Sequence, residues 1–167
     1  MAKPRSRYVA QFTRDGGWKS CMAKDRKNDM KIELNRLNDG FHLEAVNEQG
    51  RTVHIDASPD IGGTNQGMRP MQLLLAAMGG CSTIDVINIL KKQKQPLRDI
   101  KITVDGEREK DAVPSLFVEV HVHFKLYGDL DQEKVSRAVS LSVDKYCSVA
   151  KTLAHKAKIT YSFEILP

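Results

Sequence analysis

Two cysteines carry most of the chemistry this sequence offers. Cys81 lies in the run Leu73-Leu74-Leu75-Ala76-Ala77-Met78-Gly79-Gly80-Cys81-Ser82-Thr83-Ile84-Asp85-Val86, apolar and rich in small residues, where packing alone favours a bulkier side chain. A lone cysteine in such a run is ordinarily a small hydrophobe. Three features point instead to a working thiol. Gly79 and Gly80 leave room for a substrate or a partner chain to approach the sulfur. Ser82, Thr83, Asp85 and Asn88 make the following turns unusually polar. Cys147 falls at the mouth of a short predicted helix, where unpaired amide hydrogens favour a thiolate. On the residues alone, the packing reading and the thiol reading are evenly matched.

The other candidates read more plainly. Cysteines at 21, 81 and 147 are odd in number and widely spaced, so they do not form a disulfide framework. Cys21 reads as a surface thiol. His121 and His123, two apart on a predicted strand, share a face and could suit a metal, but no cysteine or third histidine is near in sequence, and a solvated sheet face is the simpler reading. His54 and His155 stand alone. Asp85, one turn after Cys81, reads as a structural hydrogen-bonder rather than a base. The basic run Lys91-Lys92-Gln93-Lys94 suits the negative end of a helix dipole. No glycine-rich phosphate loop is present, and nothing in the sequence calls for a cofactor.

Period-two alternation predicts the elements that must hold these residues. Met30 to Leu37, Phe41 to Val46 and Arg51 to Asp56 read as a three-stranded meander turning at Asn38-Asp39-Gly40 and Glu48-Gln49-Gly50. Pro70 suits the first turn of a helix reaching about Lys94, with a buried stripe at 73, 76, 77, 80, 84 and 87. The pair Gly79-Gly80 weakens that helix by about 1 kcal/mol per glycine, so a kink or a closely approaching backbone must compensate. Pro96 stops it. Strands over 100–106 and 116–126 form a hairpin through Asp111-Ala112-Val113-Pro114. A second amphipathic helix covers 131–146, with Val135, Ala138, Val139, Val143 and Tyr146 inward and Asp131 near its start. Cys147 to Leu153 is a short further helix, and Ile159 to Ile165 closes the chain as a strand. Strands followed by helices in this order make an α+β fold rather than a repeating βαβ one. A helix with so much apolar surface needs cover on more than one side, which dimerisation supplies.

A chain of 167 residues fits one domain. Residues 1–29 carry eight basic and three acidic side chains, whereas residues 30–167 hold eighteen of each. The division is therefore a basic N-terminal extension, 1–29, with a strand over 7–13 that is an added edge strand, a basic arm or an upstream part of the domain, and a neutral domain, 30–167. A neutral domain offers no phosphate-binding face, so nucleic acid is not the expected partner. The basic N-terminus lacks the apolar stretch of a signal peptide, and the expectation is a cytoplasmic protein with reduced thiols.

Gly63-Thr64-Asn65, the run Pro70-Met71-Gln72-Leu73 through Cys81, and Lys145-Tyr146-Cys147-Ser148-Val149-Ala150-Lys151-Thr152-Leu153 together resemble the family of osmotically inducible protein C and organic hydroperoxide resistance proteins. The resemblance spans about residues 30–166 in element order. It implies curved antiparallel sheets around long central helices, an intertwined homodimer and an active site at the dimer interface. It also implies that Cys81 is the peroxidatic and Cys147 the resolving cysteine. Cys81 would attack a hydroperoxide and become a sulfenic acid, Cys147 would condense with it, and an external dithiol, often a lipoylated protein, would reduce the disulfide. Well-studied hydroperoxidases of the family carry a glutamate after the helix-opening proline and an arginine from the preceding strand. Here Met71 follows Pro70, and Val53 to Ala57 contains no arginine, so the resemblance is closer to a less characterised branch. Arg69 and Arg36 are the cations available as substitutes. The same departures leave open a non-catalytic dimer that binds a small apolar ligand or senses redox state.

Overall fold

Alternating strands fold this chain into separate sheets; the computed structural model describes residues 30–167 and, upstream, the backbone of two short strands. Those two, β1 (Ala10–Phe12) and β2 (Trp18–Ser20), pair antiparallel with Phe12 opposite Trp18. β1 falls inside the strand read over 7–13; the rest of that reading, and Cys21, lie outside the described residues.

The predicted meander forms from β3 (Ile32–Arg36), β4 (Leu43–Asn47) and β5 (Thr52–Ile55), antiparallel in that order. Asn38 shapes its first turn, its Oδ1 accepting from the Gly40 amide at 2.9 Å. Register sets Leu34, Ala45 and Val53 in one row and Asn35, Glu44 and His54 in the next, so one face is apolar and the other polar. Among the described residues that apolar face is left half-exposed, with Ile32, Leu34 and Val53 at 54%, 57% and 47%.

After β5 the chain folds back on itself around Asp56, which is buried. Its carboxylate accepts from the Ala57 amide at 2.8 Å, the Thr64 amide at 2.9 Å, the Thr64 hydroxyl at 2.8 Å and the Gln66 amide at 3.1 Å. Burial pushes the Asp56 carboxyl up, but the hydrogen bonds from Gln66, Thr64 and Ala57 outweigh it and hold the pKa at about 2. Glycine is required where the loop returns, because a Cβ on Gly63 would lie 1.9 Å from the Ala57 carbonyl oxygen.

That loop delivers α1 (Pro70–Lys92), opened by Pro70, with the Arg69 amide donating to Gln72 Oε1 at 2.9 Å. The stripe read at 73, 76, 77, 80, 84 and 87 is not the buried one. Met78, Gly79, Ser82, Val86 and Leu90 are buried, whereas Ile84 is 61% exposed. The helix is apolar nearly all round, so periodicity could not say which face meets its own core. By length and composition α1 could cross a membrane, with a mean hydropathy of 1.8, but it packs on the C-terminal sheet and the later helices. It ends at Lys92, ahead of Pro96, with Lys91 and Lys92 in the last turn.

The second sheet runs β6 (Asp99–Arg108), β7 (Phe117–Tyr127), β8 (Lys158–Leu166). β6 and β7 form the expected hairpin, but β7 and β8 are parallel, so this sheet is mixed rather than wholly antiparallel. The cause is the helical crossover that joins β7 to β8 and returns the chain to the same end of the sheet. Val120, Val122, Phe124 and Leu126 point inward from β7 and are fully buried against Met78, Leu90, Val135 and Val139. The crossover contains α2 (Gln132–Leu141), capped by Asp131 Oδ1 accepting from the Lys134 amide at 2.9 Å. A regular helix was expected to run to 146. Instead Ser142–Tyr146 is a π-helical turn, closed by the Cys147 amide donating to the Ser142 carbonyl at 2.8 Å. The wider turn swings Tyr146 out of the inner stripe to 50% exposure. α3 (Ser148–Leu153) follows.

Because the folded Asp56 pKa lies below its ordinary value of 3.8, its contribution to stability is complete above 3.8 and is lost as pH falls toward about 2. In urea titrations at falling pH, Asp56→Asn is expected to start less stable than the parent and to lose less over that interval. Parallel curves for the two proteins would show that Asp56 does not organise the loop.

Candidate thiol site

α1 and the crossover bring the two cysteines together. Cys147 is fully buried at the N-cap of α3, where its sulfur accepts from the Ala150 amide at 3.4 Å and lies 3.9 Å from the Met78 carbonyl. Cys81 is partly buried on α1. It packs against the core cluster that holds Cys147, close enough for the Cys147 thiol and the backbone amides of Val149 and Ser148 to act on its charge, although no side-chain hydrogen bond joins the two sulfurs. Both thiols are free.

The electrostatics at Cys81 favour the thiol over the thiolate. Burial pushes its pKa up from the ordinary value of 9.0, and the Cys147 thiol adds to the rise, while the Val149 and Ser148 amides pull it down without prevailing. No lysine or arginine figures among the groups acting on it. Arg69 sits at the N-cap of α1, twelve residues before Cys81, or about 18 Å along a helix. Arg36 is tied to its own turn, donating to the Asp39 and Gly40 carbonyls. Neither candidate cation serves the sulfur of its own chain.

A residue that sequence reasoning missed fixes this arrangement. Ser142, fully buried, donates from its hydroxyl to the Ser82 carbonyl at 3.0 Å, fastening the π-helical turn to α1 one residue from Cys81. The available signal was a serine within the otherwise apolar inner stripe of α2. Two polar atoms nearby have no partner in the described residues, Ser82 Oγ and Asp85 Oδ2. Asp85, read as a structural hydrogen-bonder, thus keeps one buried oxygen without a partner among the described residues. The two glycines differ: a Cβ on Gly79 would press on Val104 at 3.0 Å, whereas Gly80 has open space. A groove of about 610 Å³ runs along Gly79, Gly80 and Thr83 against Ile102 and Val104.

The histidines stand apart from the thiols. His54 is not isolated, since its Nδ1 lies 2.8 Å from His42 Nε2. His121 and His123 share the outer face of β7, as expected, in a ladder with the Thr160, Ser162 and Glu164 side chains of β8. Lys125, 3.0 Å from Glu164, and then His123 hold that carboxyl below its usual range. No cluster able to hold a metal occurs among the described residues. His155 is exposed.

In a Cys21→Ser background, alkylation of Cys81 by iodoacetamide should rise with pH to a midpoint above 9.0. Cys147→Ala, which removes one cause of the elevation, should lower that midpoint. A Cys81 midpoint near 7 in the isolated chain would contradict this account of the sulfur's surroundings.

Comparison with known proteins bears on the fold and family of the chain. Protein YhfA of Escherichia coli (strain K12) is 45% identical over 98 residues, covering 58% of this chain and 72% of that protein. Among solved structures, a hypothetical protein from Aquifex aeolicus VF5 is 28% identical, covering 84% of this chain and 99% of that one, with a TM-score of 0.69. An organic hydroperoxide resistance protein OsmC from Legionella pneumophila shares the fold at 15% identity and a TM-score of 0.65, over 84% of this chain and 99% of that one. The family described as OsmC-like protein matches residues 63–162, a span that holds the Asp56-bound Thr64, all of α1 with Cys81, and Cys147, and the chain belongs to that family.

Proposed function

We propose that this protein is a thiol-dependent hydroperoxide reductase in oxidative stress defence, with Cys81 peroxidatic and Cys147 resolving. The observation that carries the reading is the proximity of two free thiols, one of them at the N-cap of α3. The Cys81 thiolate attacks the terminal peroxide oxygen, the O–O bond breaks, and the alcohol, or water from hydrogen peroxide, leaves after taking up a proton. Cys81 is then a sulfenic acid. Cys147 attacks that sulfur, water leaves, and a Cys81–Cys147 disulfide results. An external dithiol, such as a lipoylated protein, returns both thiols and is itself oxidised. A cytoplasmic setting keeps the resting pair reduced.

The working unit in this reading is a homodimer. α1 leaves Ile84, Ile87 and Leu74 exposed, and the meander leaves an entire apolar face uncovered. A second copy supplies cover for both and closes the site at the Gly80 side of α1. Ile84→Asp is expected to shift the protein toward monomer in sedimentation velocity; an unchanged dimer would remove α1 from the interface.

One observation favours a second reading, a binding or redox-sensing dimer: the raised Cys81 pKa leaves little thiolate near neutral pH. Peroxide consumption with a dithiol reductant separates the two. Rapid turnover of cumene hydroperoxide that Cys81→Ser abolishes, and that Cys147→Ser limits to one oxidation event, establishes the reductase. A rate no greater than that of a free thiol moves the assignment to the sensing role. Parent-like turnover by both variants would falsify the assigned cysteine roles.

A further inference from the structure

The outer face of the second sheet carries a series of polar side chains that the thiol chemistry does not use. Parallel pairing of β7 with β8 sets His121 beside Thr160, His123 beside Ser162 and Lys125 beside Glu164. Their polar atoms are continuous across the two strands. Thr160 Oγ1 lies 2.8 Å from His121 Nδ1, and Ser162 Oγ lies 2.8 Å from both His121 Nε2 and His123 Nδ1. Glu164 Oε1 lies 3.3 Å from His123 Nε2 and 3.0 Å from Lys125 Nζ.

The supply of hydrogens fixes the direction of this series. Lys125 first, and then His123, hold the Glu164 carboxyl below its usual range, so it is an anion and can only accept. The hydrogen between it and His123 therefore sits on Nε2. In the neutral ring that leaves Nδ1 as a bare acceptor, facing a hydroxyl that owns a single hydrogen. Ser162 donates that hydrogen to His123, and its oxygen accepts from His121 Nε2, whose own Nδ1 accepts from Thr160. With both rings neutral, no other pattern satisfies every group. The outcome is a hydroxyl turned toward a base within proton-transfer distance, and a base held from behind by a carboxylate. A second donor, His121 Nε2, stands beside the same oxygen. Ser162 and both imidazoles are half-buried, and β8 is an edge strand, so among the described residues no strand flanks Ser162 on the side away from His123.

We propose that Ser162 is a nucleophile toward small activated esters, with His123 as its base, Glu164 as the residue that positions His123, and His121 as a donor to the oxyanion. Ser162 Oγ attacks the ester carbonyl while its hydrogen passes to His123 Nδ1. The bond from the carbonyl carbon to the leaving oxygen breaks, the alcohol departs with that hydrogen, and an acyl-serine remains. Water that gives its proton to the same base then releases the acid and restores Ser162. The inference does not rest on the peroxidase reading, and its test is made without thiols.

Full-length protein carrying Cys21→Ser, Cys81→Ser and Cys147→Ala is mixed with p-nitrophenyl acetate in mildly alkaline buffer, and p-nitrophenolate release and peptide masses are followed. A burst of about one equivalent per chain is expected, with the acetyl group on Ser162 and removable by neutral hydroxylamine, as an acetyl on lysine is not. Ser162→Ala should abolish the burst. His123→Gln should slow it about 100-fold, the lower end of what a general base contributes, and Glu164→Gln should slow it less, because the carboxylate only holds the base. Both should keep the amplitude, which a variant that merely unfolds would lose. Should the thiol-free protein not fold, peptide masses from the parent tell acetyl-Ser162 from acetylated cysteine by position. Acetyl groups on lysine alone, a burst that survives Ser162→Ala, or parent-rate acetylation of Ser162 in His123→Gln would overturn the proposal.

Discussion

The hydrogen bond from Ser142 to the Ser82 carbonyl is the joint on which the site depends. Cys81 and Cys147 lie on elements far apart in sequence, and the crossover between β7 and β8 could bring Cys147 near α1 without setting its distance. The π-helical turn sets it. By closing on the Ser142 carbonyl, the Cys147 amide ends the helix and releases Cys147 into an extended conformation, which a helix N-cap requires. The same serine hydroxyl grips α1 beside Cys81. A buried hydroxyl and carbonyl that satisfy each other contribute net only about 0.5–1.5 kcal/mol. Their larger effect is geometric, because both sulfurs are referred to one fixed point.

The second constraint is the two-sided apolarity of α1. Its face through Met78, Ser82, Val86 and Leu90 meets the chain's own core, whereas the face through Gly80, Ile84 and Ile87 is left exposed among the described residues. The meander repeats the situation, with one apolar face left half-exposed among the described residues. Half-covered elements of this kind are unstable alone in water, and identical surfaces related by a two-fold axis are the economical way to bury them. A fold built so carries its most apolar helix safely only while that second face is covered.

Much of this was legible in the sequence, for identifiable reasons. Alternation in β7 and the Asn38-Asp39-Gly40 turn are local signals, and Pro70, Asp131 and Cys147 mark helix starts that the structure reproduces. What failed was what depends on tertiary choice. The buried stripe of α1 was assigned to the wrong face because both faces satisfy the same periodicity. Tyr146 was drawn inward because a π turn has no sequence signature that distinguishes it from a regular last turn. The parallel pairing of β8 follows from which edge of β7 was free, and Ser142 bonds to a residue sixty positions away. Of the site, the two cysteines were legible; the joint that sets their separation was not.

The raised Cys81 pKa and the contact with Cys147 are two aspects of one arrangement. In the proposed cycle Cys147 must lie close enough to condense with a sulfenic acid on Cys81, and a neutral thiol held that close also favours the protonated form of Cys81. The α3 amides oppose this but lie behind the effect of burial. Each pKa unit is tenfold in thiolate population below the pKa, so a fast reaction at neutral pH needs a charge that the described residues do not place beside Cys81. Arg36 is engaged by its turn and Arg69 lies at the far end of α1. If the dimer covers α1 at Gly80, where the described residues leave open space, it also brings foreign side chains beside Cys81. Under the proposed function, assembly of the dimer would then also be the step that activates the thiol.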